Sequence, residues 1–297
     1  MNFLNQVLQG AMLGGFYALL ACGLSFLYGV MRIINLAHGS LAVLAAFLLM
    51  DFVNVTNLSP FVGLILVLPV MALVGWGLQA AVLDRSLKSG PLIPILSTFG
   101  VAVILDNAMF EYYGANSASL GPYIGDLAFG SWNLTDTIYI GQLDAIIFAT
   151  AVVVMGALSF ILARTGIGRT IRATADDPTV VGLIGVNANA VYAVTAAIAM
   201  VLIGLAGAFL GMRSSFAPYA GGGLLIFAFE TVVIGGLGSL WGTLIGGVVL
   251  GVSQNIGAEI SPNGFLIAGH AVFLTILIAR TFGSALNLPR FRLWKAA

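Results

Sequence analysis

The chain has 297 residues, of which 60% are hydrophobic and 7% charged, with eleven basic residues against eleven acidic ones and a mean hydropathy of +1.08. A soluble domain carries about a quarter charged residues, because charge covers its surface; this chain has too little polar material to face water on all sides, and lipid is the expected solvent for most of it. The balanced charge offers no bulk attraction to nucleic acid, and a single cysteine, Cys22, excludes an internal disulfide and a cysteine metal cluster.

The first residues, Met1-Asn2-Phe3-Leu4-Asn5-Gln6, lack the basic region that opens a cleaved signal peptide, so the first apolar stretch is expected to stay as a membrane helix. A span needs roughly 20 mostly apolar residues. Eight hydrophobic stretches are read along the chain, at 7–27, 36–53, 61–83, 92–110, 143–163, 191–212, 224–256 and 265–279. They leave no room for a soluble domain. The expected fold is all-α, a polytopic transmembrane bundle of about eight spans in one membrane domain over residues 1–297.

Stretch 36–53 is short and follows the polar run Arg32-Ile33-Ile34-Asn35. A helix interrupted at membrane depth is tolerated only where its backbone lines a cavity or is buried in protein. Arg85 and Lys88 share one short loop, and Arg164, Arg169 and Arg172 another, whereas 111–143 holds Asp126 and Asp136 and no basic residue. Basic loops stay cytoplasmic, which places the loop at about 164–190 inside and that at about 111–143 outside. Arg32 and the tail with Arg280, Arg290, Arg292 and Lys295 then fall inside, the N-terminus outside, and Arg213 outside against the rule.

Such a chain crosses an odd number of times. Stretch 224–256 is too long for one span and contains Gly235-Gly236-Leu237-Gly238-Ser239. Glycine costs about 1 kcal/mol inside a helix relative to alanine, so this cluster predicts a break into two short spans or a re-entrant segment. Glycines four apart, at Gly10/Gly14, Gly207/Gly211, Gly242/Gly246 and Gly247/Gly251, let helix backbones approach closely. Their spacing serves packing within the chain or against a partner equally.

Catalytic signatures are absent. With His38 and His270 as the only histidines a histidine-rich metal site is nearly excluded. No P-loop motif occurs, so any ATP is bound by another polypeptide. The informative segment is Gly168-Arg169-Thr170-Ile171-Arg172-Ala173-Thr174-Ala175-Asp176-Asp177-Pro178-Thr179-Val180-Val181-Gly182-Leu183-Ile184-Gly185-Val186. Asp177 suits an N-cap, Pro178 the first helical position and Gly185 the left-handed residue that ends a helix. These predict a helix of about two turns with Val181 and Ile184 on one side, either a knob for a cytoplasmic motor or an ordinary structured loop.

This loop resembles the cytoplasmic coupling segment of LivH-type permeases, the branched-chain amino acid branch of ABC importers, which read G-R-x-x-R-A-x-x-x-D/N-P and then G-I/V-N. Gly168, Arg169, Arg172, Ala173, Asp177, Pro178, Gly185, Val186 and Asn187 occupy those positions. The runs from Tyr28 to Gly39, from Leu96 to Gly100 and from Val233 to Ser239 resemble further motifs of the family, in the family's order. The chain departs at Val181, where the family often has alanine, at Arg280-Thr281-Phe282-Gly283-Ser284 near the C-terminus, and at Glu230, where many relatives have a small or neutral residue.

The resemblance implies a non-catalytic permease subunit of an importer in the bacterial inner membrane. It would work with a second, LivM-type permease, two cytoplasmic ATPases that hold ATP and Mg, and an extracytoplasmic substrate-binding protein. Coupling would fall to Arg169, Arg172, Ala173, Asp176, Asp177, Pro178, Val181, Ile184 and Gly185. The solute would be a branched-chain or other neutral amino acid, with urea, amides and organic acids as alternatives in the same family.

Polar and glycine residues in the apolar runs are candidates for the pathway: Asn35, His38, Gly39, Ser97, Thr98, Glu230, Gly235 and Gly236. A carboxylate such as Glu230 at membrane depth must face a cavity, pair or stay protonated; meeting a substrate ammonium and a structural hydrogen bond are both open to it. Asn35 and His38 can satisfy backbone groups freed by the interruption or line the path. His270 reads as a hydrogen-bonded packing residue, and Asp106 and Asn107 as markers of the lipid interface. An ion-coupled secondary transporter, with Glu230 or Asp106 as the ion site, is the alternative class.

Overall fold

The computed structural model describes residues 3–90, 92–135 and 137–285; Asp136 and the basic tail at Arg290, Arg292 and Lys295 lie outside the described residues. Helix α1 (Phe3–Met31) ends at Arg32, which takes the left-handed conformation. After an extended segment, α2 (His38–Thr56) runs back and ends on Asn57, also left-handed. Ser59 caps α3 (Pro60–Leu78), which continues through a π-turn (Gln79–Leu83) into the one-turn α4 (Asp84–Ser86). Helix α5 (Ile93–Tyr113) follows.

The next loop carries an antiparallel hairpin, β1 (Ser131–Thr135) and β2 (Ile138–Gly141). Then come α6 (Gln142–Arg164), α7 (Gly166–Asp176), α8 (Pro178–Leu183) and α9 (Ala188–Arg213). The chain closes with α10 (Gly221–Gly235), α11 (Leu240–Ile260) and α12 (Gly264–Ala285).

Among the described residues, nine helical segments are long and apolar enough to cross a membrane. The sequence reading of eight stretches is corrected at one place: 224–256 is two helices, α10 and α11. Gly236 and Gly238 adopt φ of +104° and +82°, a backbone region that side chains with a Cβ avoid, so the chain reverses within Gly236–Ser239. Nine crossings satisfy the odd parity that the basic residues demand. Arg213 is neutralised where it stands, with its Nε 2.6 Å from Asp144 Oδ1 and its guanidinium over the Phe16 ring.

Helix α1 is the hub. Its spanning window is 89% buried, against 6% for α12 at the periphery. Contact between α1 and α11 is backbone to backbone: a Cβ on Gly14 would lie 2.5 Å from the Gly247 carbonyl oxygen, and Gly10 faces Gly251 as closely. Gly242 and Gly246 do the same for α10, and Gly207 for α2. The glycine spacing therefore serves packing within this chain, the means by which helices associate where water does not drive them together.

Candidate functional site

Two helices begin inside the bundle rather than at its surface. His38, fully buried at the start of α2, places Nε2 2.7 Å from the carbonyl oxygen of Leu20, which lies about 16 Å along α1 from its Met31 end at 1.5 Å per residue. The segment before it is tied down by side chains: Asn35 Oδ1 accepts from the Ala37 amide at 3.0 Å, and Thr98 Oγ1 accepts from the Leu36 amide at 3.0 Å. The Leu36 and Ala37 amides freed by the interruption are thus met by Thr98 and Asn35, while His38 ties the start of α2 to the middle of α1; all three are buried. These residues hold the break open from within the protein.

Gly39 has a different part. A Cβ there would lie 1.9 Å from the Gly221 carbonyl oxygen, so the first turns of α2 and α10 touch at the same depth. Ser97 bonds the Ile93 carbonyl at 2.8 Å and accepts from Ser86 at 3.1 Å, joining α5 to the α4 turn. Gly235 packs backbone to backbone on Gly242, and Gly236 takes the turn. Arg280 reaches back from α12 to donate to the carbonyls of Val233 and Ile234 at 2.8 and 2.7 Å. It supplies the partners that the last turn of α10 lacks.

Glu230 is 3% exposed. Its Oε1 lies 2.5 Å from His270 Nδ1 on α12, and its Oε2 is buried without a partner. Tyr17 packs over Phe227, one turn before Glu230, and donates to Gln254 at 2.6 Å. His270 is hydrogen-bonded, as its sequence reading expected, and Glu230 is its partner.

Asp106 and Asn107 lie seven and six residues before the end of α5 at Tyr113, about 10 Å of helix; the helix runs three residues beyond the stretch 92–110 read from the sequence.

One end of the bundle gathers the basic residues. A cavity of about 660 Å³ is lined there by Arg32, Arg169, Arg172, Asp176, Gly238 and Ser239 among others, and Gly29 of α1 touches Gly238 in the α10–α11 turn. Helix α7 buries Gly168, Ile171 and Thr174 and leaves Arg169, Ala173 and Asp176 outside. Asp177 then caps α8: its Oδ1 accepts from the amides of Thr179 at 2.8 Å and Val180 at 3.2 Å and from the Thr179 hydroxyl at 2.6 Å. These bonds, the Thr179 hydroxyl foremost, hold its carboxyl below the ordinary carboxylate range.

The other end of α8 is closed as tightly. The Val186 amide bonds the Val181 carbonyl, the Gly185 amide bonds that of Gly182, and Gly185 has φ +84°, the Schellman arrangement. Val181 and Ile184 do not share an outward side, which corrects the expectation. Val181 is 3% exposed and faces the protein, while Val180, Leu183 and Ile184 project at 55%, 87% and 76% exposure.

The opposite end is anchored by the hairpin. Asn5 accepts from the Tyr139 amide at 3.2 Å, and Gln9 donates to its carbonyl at 2.5 Å. Gln6 and Glu259 bond each other. A second cavity, about 470 Å³, opens there with Tyr17, Arg213, Asn255 and Phe227 on its walls.

Nine helices long and apolar enough to cross a membrane among the described residues, two of them starting mid-bundle, define a polytopic membrane protein. Residues 6–280 match the family described as the permease component of branched-chain amino acid transport systems, and the chain belongs to that family. It is 29% identical to the high-affinity branched-chain amino acid transport system permease protein BraD of Pseudomonas aeruginosa, over 95% of each chain. It is 28% identical to the LivH permease protein of Escherichia coli, over 95% of this chain and 94% of the relative. A more distant likeness, 26% over 95% and 85%, is to the ribose import permease protein RbsC of Haemophilus influenzae.

Proposed function

We propose that this chain is the membrane-spanning subunit of an ATP-driven importer of branched-chain or other neutral amino acids, working by alternating access in a bacterial inner membrane. Its end with Arg32, Arg85, Lys88, Arg169 and Arg172 faces the cytoplasm, in keeping with the positive-inside rule. A homologous permease subunit completes the pathway, an extracytoplasmic binding protein delivers the solute, and two cytoplasmic ATPases hold the nucleotide and its Mg. The chain itself performs no chemistry.

The observation that carries this reading is the α8 knob. Three large apolar side chains, Val180, Leu183 and Ile184, stand out from a six-residue helix fixed at both ends. An exposed apolar patch beyond the spans marks a protein partner, and its neighbours Arg169, Arg172, Asp176 and Asp177 make the surroundings polar, with Ala173 and Pro178 between them. ATP binding favours one arrangement of the motors; because they grip α7 and α8, that preference becomes a preference between two arrangements of the spans. Family membership supports the same reading. Family membership does not favour an ion-coupled carrier, and of its two candidate ion sites Glu230 is engaged by His270.

The test is reconstitution of the tagged chain with co-purifying subunits. Amino acid uptake requires ATP, and Leu183→Asp abolishes ATPase co-purification while the permease stays folded. Uptake by the isolated chain, driven by an ion gradient alone, overturns the proposal.

A further inference from the structure

On α3, α6 and α12 the outward side chains at membrane depth are residues such as Ile65, Leu73, Val153, Phe160, Leu274 and Ile278, as lipid requires. Helix α5 exposes Leu96, Phe99 and Ile104 in the same way but adds polar groups in its second half. Asp106, seven residues before the end at Tyr113, lies beside Ser40 of α2, half-buried, with its Oδ1 buried and without a hydrogen-bond partner. Exposed Asn107 follows, its amide on the Val103 carbonyl at 2.8 Å and its Oδ1 accepting from the Tyr219 hydroxyl at 3.2 Å. Tyr219, 53% exposed, leads into the first turn of α10, where Gly222 and Gly223 are exposed and a Cβ on either would meet nothing within 4 Å.

An amide and a phenol are therefore exposed beside a half-buried carboxylate, on a helix long and apolar enough to span a membrane, where ionisable groups are rare. Helices α2, α5 and α10 contain no Lys or Arg, so these walls supply no cation to Asp106. We propose that this strip lines the translocation route and that Asp106 receives the ammonium group of the transported amino acid. The assignment rests on the importer reading above and deepens it. Gly222 and Gly223 keep the wall low where the solute passes, and the second permease subunit faces the strip across the route.

Thiol labelling in the assembled importer tests the placement, with a low background because native Cys22 is 0% exposed. Asn107→Cys and Gly223→Cys should react with a charged, membrane-impermeant thiol reagent, and more slowly when liganded binding protein is saturating. Val153→Cys, turned to lipid, should not react. Failure of both route positions to react overturns the proposal. Asp106→Asn should lower amino acid uptake at least tenfold with unchanged subunit co-purification and thermal unfolding, and Asp106→Glu should recover most of it. Unchanged uptake by Asp106→Asn in a working wild-type importer overturns this inference alone. A wild-type complex that moves no amino acid overturns the importer reading with it. Uptake that needs a sodium gradient assigns Asp106 to the ion and overturns the ammonium contact.

Discussion

Glu230 on α10 and His270 on α12 face each other at 2.5 Å, and this pair fixes the peripheral helix to the interrupted one. The carboxylate is buried while the imidazole side chain is 43% exposed, so the pair stands at the boundary between protein and its surroundings. Helix α12 also packs on α11 through Gly264, where a Cβ would lie 1.9 Å from the Gly257 carbonyl oxygen.

Replacing His270 with alanine leaves both carboxylate oxygens of Glu230 without a partner. A buried acceptor so stranded costs about 1–3 kcal/mol, and thermal unfolding in detergent should fall accordingly. Glu230→Gln keeps a hydrogen-bonding group in place and should be milder. If Glu230→Gln instead spares stability and changes which solutes are carried, Glu230 belongs to the pathway.

Arg280→Ala frees the carbonyls of Val233 and Ile234 at the end of α10. The expected loss is about 1–3 kcal/mol, seen as faster proteolysis at the α10–α11 turn. Arg280→Lys presents a single ammonium where a planar fork was matched to two carbonyls, and should recover only part of the stability. Equal protease resistance in all three forms would exclude the bracing role.

Gly14→Val places a side chain where the Gly247 backbone already lies. Overpacking of a tight contact costs about 1–3 kcal/mol, and here the obstacle is main chain that cannot step aside. Expression in the membrane should drop sharply, and so should that of Gly247→Val. The same change at Gly77, whose Cβ would meet nothing within 4 Å, should be tolerated.

Asp177→Ala removes the oxygen that accepts from Thr179 and Val180, and should reduce ATPase coupling. Asp177→Ser, another good cap, should retain it. The carboxyl is held below its ordinary range in the folded chain, so its contribution is fully present above the unfolded pKa and is lost as pH falls through the lower folded one. ATPase coupling should therefore be insensitive to this group at neutral pH and weaken only under acid conditions. An unchanged coupling ratio in Asp177→Ala would show that the cap is dispensable.

Local signals proved legible. Asp177, Pro178 and Gly185 act within a few residues of themselves, and their order in the chain already specified a short helix with both ends closed. The glycine run at 235–238 predicted a break for the same reason. Val181 was misread because which side of α8 turns inward depends on the body it lies against, not on its own six residues. The partners of Thr98 and Glu230 lie 62 and 40 residues away, and no spacing rule connects them.

The touch between Gly39 and Gly221 has a mechanical consequence. With only glycine at that crossing, the beginnings of α2 and α10 are pressed together with no compliant side chain between them, so neither slides without carrying the other. At its far end α10 turns beside Gly29 and the cavity bordered by α7. A tug applied at the knob thus has a short linkage to follow, from α7 to α1, across from Gly29 to the Gly236–Ser239 corner and along one helix to the centre of the bundle.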